Sequence, residues 1–330
     1  MENVSLVGTP VENVVGEFEF PDGKKRLATK RTKMGSIVGE THYEYVEKTD
    51  RPMSVDGRIT MSGKIFLTFV KAVIALLKVY KSSTAEFTMT IMNGLNLKVV
   101  DTAHVGMIDL FVPKEALIEF DMPEVPAVIS LDADKLKDLK VKATDAVSMS
   151  MKFSLKEIKD KPDGDVYVHY GNYECTKIAL RFGFVERSLV TIDESMVTVP
   201  KIPNMDFDNG VYVVVETSRL LDAINQCALV GDAVSFDLYS DHFEIRSHGG
   251  DEEAKVSIER DFIKDLKLVQ PDNHAVYPVE YLQRILNAAR SSEDMKLSFK
   301  KDYPMKAEFW MNVDSPERVG MYFYLAPRME

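Results

Sequence analysis

Along Lys64–Lys81 the apolar residues fall at positions 65, 66, 69, 70, 73, 76, 77 and 80, the period of a helix with one buried stripe. Lys64, Lys71 and Lys78 are spaced by seven and share another face, and the segment carries no acid. Three further segments predict amphipathic helices. Asp132–Lys142 carries Lys135, Lys137, Lys140 and Lys142; Thr217–Val230 opens on a capping Thr217 or Ser218 and closes at Gly231; Pro278–Arg290 has proline in its first turn. Around them, alternation predicts strands. In the first half these are Ile59–Met61, Ala85–Met92, Leu95–Val100, Val105–Val112, Ala127–Leu131, Val147–Ile158, Asp165–Tyr170 and Tyr173–Glu186. In the second half they are Val211–Glu216, Val234–Tyr239, Phe243–Ser247, Glu253–Glu259, Ala275–Tyr277, Met295–Lys300, Met305–Asn312 and Gly320–Leu325. Asn93-Gly94 is a hairpin signal. One order of elements (strand, helix, hairpin, strand, strand, helix, hairpin) therefore occurs twice, an internal repeat visible in element order and not in letters. The fold class is α+β, with two helices on a mostly antiparallel sheet in each half.

The halves are joined by Ser188–Asp208, where Pro200 and Pro203 remove backbone donors and no regular period survives. Its many apolar residues, from Leu189 to Phe207, exclude a floppy linker. Two readings stay open: a loop lying on its own core, or a strap that leaves an apolar side for a partner. Residues 1–57 differ from the rest. Val14–Phe20 reads as a strand, Pro21-Asp22-Gly23 as a turn, and His42–Glu47 as another strand. Lys24–Lys33 holds six basic residues and no acid. It reads as a solvated hairpin arm or, alternatively, as a nucleic-acid contact or a targeting signal.

The chain has 330 residues, 45% of them hydrophobic, enough for two domains. No apolar run reaches the ~20 residues of a membrane span and no secretory pattern opens it, so an intracellular protein away from membranes is expected. Cys175 and Cys227 read as buried free thiols. The net charge of −11 argues against coating nucleic acid with the whole surface, so any nucleic-acid contact must use segregated positive charge.

Asn93-Gly94-Leu95 through Asp101-Thr-Ala-His-Val-Gly-Met-Ile-Asp-Leu, the Leu229-Val-Gly-Asp-Ala-Val turn, Asp302-Tyr-Pro-Met and the terminal Tyr324-Leu-Ala-Pro-Arg-Met-Glu resemble the DNA sliding clamps of the proliferating cell nuclear antigen family, archaeal members most of all. The resemblance runs in order over about residues 58–330. Residues 1–57 and the length of Lys152–Glu186 depart from the usual pattern, which leaves room for a viral or plasmid-borne member. It implies two similar domains of the DNA clamp fold, 58–187 and 209–330, joined by an extended connector, 188–208. Three chains would form a head-to-tail ring around duplex DNA, helices inward and sheets outward.

The resemblance also implies sites. Lys64, Lys71, Lys78, Lys137, Lys140, Arg219, Arg284 and Arg290 would meet DNA phosphates without reading sequence. His104, Met107, Val197, Val199, Pro200, Tyr303, Pro304, Tyr324, Leu325 and Ala326 would form the pocket for partners' short clamp-interaction motif. Tyr173–Glu186 and Glu253–Glu259 would be the edge strands that join subunits, through Ile178, Leu180, Phe182, Lys255, Val256 and Ile258. The implied partners are a polymerase, a clamp loader, and motif-bearing proteins such as a flap nuclease or a ligase. The implied place is the cytoplasm or nucleoid of an archaeon, or a nucleus or viral factory otherwise. No P-loop, GxGxxG, HExxH, GxSxG or CxxC pattern occurs, so neither an enzyme nor a cofactor is expected. The expected function is a polymerase processivity factor; the alternative is a clamp-like scaffold turned to transcription or another non-replicative role.

Overall fold

The computed structural model describes residues 14–33, 42–77, 86–123, 127–162, 164–193, 196–197, 205, 207, 210–269, 273–311 and 319–328. They fall into two compact units. One takes in the described part of the chain up to Val55 together with Lys152–Glu174, and the other Asp56–Met151 together with the chain from Cys175.

The first unit is built from β1 (Val14–Glu19), β2 (Lys25–Lys33) and β3 (His42–Glu47), an antiparallel meander. β3 then pairs in parallel with residues 166–168 of β11 (Val166–Phe182), which runs on into the second unit as β10 (Ala146–Asp160) also does. The basic segment is therefore not a bare solvated arm. It is the middle strand of the meander, with Ala28 wholly buried beside Phe20 and Tyr45. Lys30 Nζ sits 3.6 Å from the Tyr43 ring centroid and Arg26 stacks over Phe20, so these cations are spent on aromatic faces. Tyr45 stacks on Tyr167 at 4.6 Å, and Tyr173 donates its hydroxyl to the Pro52 carbonyl at 2.7 Å. The described part of the N-terminal stretch and Lys152–Glu174, within the two segments that depart from the expected pattern, thus form one compact unit. Deleting residues 1–57 would strip β3 from Val166–Val168 and expose two buried valines.

In the second unit the repeat predicted from element order appears as four helices. α1 is described over Gly63–Leu77, and Lys78 lies outside the described residues. α3 (Thr217–Cys227) and α4 (Val279–Ala288) match their predicted spans with shorter C-termini, and Pro278 stands at the N-cap of α4. α2 is a correction: the predicted helix Asp132–Lys142 shrinks to one turn, Asp134–Lys137. Side-chain acceptors compete with its backbone ladder. Asp132 Oδ1 takes the N–H of Asp134 at 2.9 Å, and Asp145 Oδ2 takes that of Lys142 at 2.8 Å, turning the chain instead.

A nine-stranded sheet crosses both halves of this unit. Its members are β5 (Glu86–Ile91), β6 (Gly94–Val100), β7 (Gly106–Pro113), β9 (Ala127–Asp132), β13 (Val211–Glu216), β17 (Ile263–Lys267), β19 (Asp294–Phe299), β20 (Met305–Met311) and β21 (Val319–Leu325). The join between the halves is β7 against β21, antiparallel. A four-stranded sheet runs β16 (Glu252–Glu259), β15 (His242–Gly249), β14 (Ala233–Leu238), β18 (His274–Pro278), with β16 at its edge. The remaining strands are β4 (Ser54–Ser62), β8 (Glu119–Asp121), β10, β11 and β12 (Val185–Val190). The sequence patterns missed β8 and β17, three and five residues long.

The strand predicted at Tyr173–Glu186 is corrected as well. β11 passes through Gly171 without a break, ends at Phe182, and a turn at Gly183 (φ 54°) sends the chain back as β12. β12 takes Ser188–Val190 from the start of the stretch expected to be irregular. β11 therefore has neighbours on both sides, β10 and β12, and is not an edge. Ile178, Leu180 and Phe182, predicted at the subunit interface, are core residues of the single chain, none more than 4% exposed. Cys175 and Cys227 are free and buried.

Candidate DNA surface and partner pocket

α1, α2 and α4 enclose a groove whose floor is Phe66, Leu67, Val70, Ile74 and Leu139 and whose cations are Lys71, Lys137, Arg284 and Arg290. Lys71, Lys137, Lys140 and Arg290 are exposed, and Lys64 and Arg284 half-buried. Several of these charges are already tethered. Lys137 pairs with Asp134 at 2.6 Å, which raises its pKa, and Arg284 pairs with Glu280 at 2.9 Å. On α3, Arg219 pairs with Glu216 at 3.1 Å and lies over the Phe262 ring, 4.0 Å from its centroid. The groove thus gathers four of the eight predicted DNA residues; Lys64, Lys140 and Arg219 lie outside its lining. Exposed pairs of this kind are worth little and exchange readily for a phosphate.

On the other side of the nine-stranded sheet, register sets a second site. In β7 the core-facing residues are Ile108, Leu110 and Val112, all fully buried, so Met107, Asp109 and Phe111 face outward. Register then lines up Val100, Met107 and Tyr324 across β6, β7 and β21. Phe207, from the strap, approaches Tyr324 at 6.0 Å and Tyr303 at 5.7 Å between ring centroids. Burial pushes the Tyr324 phenol up to about 12, so it stays protonated at physiological pH.

Of the predicted pocket, Met107, Tyr303 and Tyr324 converge in this way. Ala326 joins them by donating its N–H to the Val105 carbonyl at 2.8 Å. Pro304 and Val197 are half-buried, and Val199 and Pro200 lie outside the described residues. Leu325 is corrected: it points inward with Met321 and Phe323 and is wholly buried, because strand alternation puts it on the face opposite Tyr324. Val100 and Phe207 were missed. Only the β6–β7 register distinguishes Val100 from a core valine, and Phe207 shows in the sequence only as one of many apolar strap residues.

His104 stands exposed at the rim with φ 55°, held there by Asp101. The Asp101 carboxylate accepts the N–H groups of Ala103, Val105 and Gly106 at 3.1, 2.8 and 2.8 Å, and the Tyr281 hydroxyl at 2.6 Å. A Cβ at Gly106 would lie 2.6 Å from Leu76 Cδ1 and 3.1 Å from Tyr281, so a side chain there would displace Leu76. Within the Asp-Thr-Ala-His-Val-Gly motif, the buried Asp101 is thus a clasp between the halves of this unit. Replacing Asp101 with Ala leaves three backbone donors and a phenol unpartnered, and should cost about 3 kcal/mol in chemical denaturation. Tyr281→Phe, losing one bond, should cost about 1 kcal/mol.

The terminal Leu-Ala-Pro-Arg is fixed similarly. Arg328 donates its N–H to the Val276 carbonyl, and its guanidinium pairs with Asp232 at 2.7 Å, which holds that carboxyl below its usual range.

No family model matches the chain. Among curated proteins it is 31% identical to the DNA polymerase sliding clamp of Thermoplasma acidophilum over 238 residues, covering 72% of this chain and 87% of that protein. It is 32% identical to that of Picrophilus torridus over the same shares. Among solved structures it superposes on A. fulgidus PCNA bound to the C-terminal region of FEN-1, with a TM-score of 0.65 at 20% identity, covering 83% of this chain and 99% of that one. PCNA of Thermococcus kodakaraensis gives 0.63 at 19% identity, over 82% of this chain and 100% of that one. The fold is that of these clamps, and the chain belongs to the DNA polymerase sliding clamp family.

Proposed function

We propose that the protein is a polymerase processivity clamp that encircles duplex DNA and tethers polymerase to it. The observation that carries the reading is the groove, where three helices distant in sequence bring Lys71, Lys137, Arg284 and Arg290 onto one surface of a chain with net charge −11. Point charges without interleaved aromatics suit phosphate contacts that permit sliding, and the acidic remainder repels DNA elsewhere. The test is primer extension by the host polymerase on primed circular DNA. Lys71→Glu, Lys137→Glu and Arg290→Glu together should lower stimulation at least tenfold at physiological salt. They should also flatten the dependence of log affinity on log salt by roughly 2–3.

Two strand edges support a ring of three such chains. Among the described residues, β16 and β12 each present one unpaired side, and two different edges are what head-to-tail closure needs. Phe184, fully exposed at the hairpin tip, and Val185 beside it are apolar groups such a contact would cover. Arg187 on β12 would face Glu252, Glu253 and Glu259 on β16, while Arg181 is paired with Glu186 of its own chain at 2.6 Å. Of the residues predicted at this interface, Lys255 binds the buried Glu244 carboxylate within its own chain and Ile258 is buried there, leaving Val256, Ser257 and the backbone of β16 for the contact.

The face formed by Val100, Met107, Tyr324 and Phe207 would take the short motifs of polymerase, flap nuclease, ligase and clamp loader. The co-structure of a related clamp with the C-terminal region of FEN-1 supports a chain segment as the ligand. The protein would act inside the cell, where DNA is replicated; no helix among the described residues is long and apolar enough to cross a membrane.

A further inference from the structure

The outward face of the nine-stranded sheet continues past the pocket. Trp310, Gly320 and Phe111 are register partners across β20, β21 and β7. Trp310 is 40% exposed and Phe111 39%. A Cβ on Gly320 would lie 2.7 Å from Trp310 Cζ3, so the indole rests over bare backbone. Tyr322 meets it edge-on, ring centroids 6.1 Å apart. The outcome is a flat aromatic shelf carrying the chain's single tryptophan. Gly320 stands four residues from Tyr324 on the same strand and face, about 13 Å along it. Between them lie Tyr322 and Asp109, whose carboxyl burial holds above its ordinary range.

We propose that this shelf is a second contact for the partner segment seated on Val100, Met107 and Tyr324: about four residues beyond its pocket anchors, the extended segment lays an aromatic or large aliphatic side chain on Trp310 and Phe111. The inference rests on the pocket reading given above. Continuity argues for this occupant, since the same strands and the same face lead from one site to the other at a distance four extended residues span. Tryptophan at a semi-exposed site beside a groove has the character of a binding hot spot, and a second anchor on one chain raises affinity without a second loss of translational freedom.

The test uses the full-length protein and three synthetic peptides. One carries only the clamp-interaction motif. The others add six residues on its N-terminal or C-terminal side, with Phe at the fourth. Calorimetry should show one extended peptide binding about tenfold tighter than the short one. Tryptophan emission should shift to the blue with that peptide alone. Trp310→Ala, and separately Phe111→Ser, should remove the gain while the short peptide binds as before. If the short peptide binds and neither extension adds affinity or moves the emission, the shelf is overturned and the pocket stands. If no peptide binds, both fall. If Trp310→Ala changes the oligomeric mass, the shelf faces another copy of the chain, and the inference is overturned.

Discussion

Val185→Asp should take the proposed three-chain assembly to single chains in light scattering at micromolar concentration, while circular dichroism and the melting temperature stay close to wild type. The reasoning is local. Val185 is 47% exposed in the single chain, so a carboxylate there remains solvated and the protomer loses nothing. In a head-to-tail contact of β12 with β16 the same carboxylate would be desolvated next to apolar groups, at a cost of several kcal/mol unless it escapes to water. Phe182→Asp is the poorer experiment, although Phe182 was the residue the sequence pointed to. Phe182 is 4% exposed, and an acid there would unfold the protomer and confuse loss of assembly with loss of fold. A wild type that is monomeric, or a Val185→Asp variant that stays trimeric, contradicts the β12 edge.

Val100→Asp and Tyr324→Ala each weaken an interaction-motif peptide at least 30-fold, about 2 kcal/mol, with the trimer intact. Both side chains are half-buried on the outer face, so the fold tolerates the change. Their register with Met107 puts them where a helical turn of a partner would seat its apolar residues. A tyrosine phenol is protonated through this range and burial pushes Tyr324 further up, to about 12, so peptide affinity should be flat between pH 6 and 9 as far as this residue is concerned. Full-strength binding to both variants would place the pocket elsewhere on the chain.

The helices were legible because their signals are local. The apolar period of Lys64–Lys81 locates α1 over Gly63–Leu77 and Pro278 marks the start of α4, while α3 stops at Cys227, short of Gly231. α2 was overextended because its pattern is equally helical; what stops it is hydrogen bonding by Asp132 and Asp145, which hydrophobic periodicity does not weigh. The edge strand was misplaced by one hairpin: Phe182-Gly183-Phe184 read as a continuous apolar run, and only the positive φ at Gly183 reveals the turn. The first unit was invisible as such, because β3 meets β11 in parallel across more than a hundred residues, a pairing with no local signature. In the pocket, the terminal Tyr-Leu-Ala-Pro ending could be matched to a family, but which side of β21 each residue faces could not. That decision gave Tyr324 to the surface and Leu325 to the core, and brought Val100 and Phe207 into view.

The central claim, that the chain closes around DNA, is tested most directly by topology. The protein is loaded onto nicked circular plasmid by the host clamp loader, freed of unbound protein by gel filtration in high salt, and the plasmid is then cut once with a restriction enzyme. The account predicts retention on the circle and loss within minutes of linearisation, as the ring slides off the ends. Equal retention on circular and linear DNA, or release from both at the same rate, would contradict it.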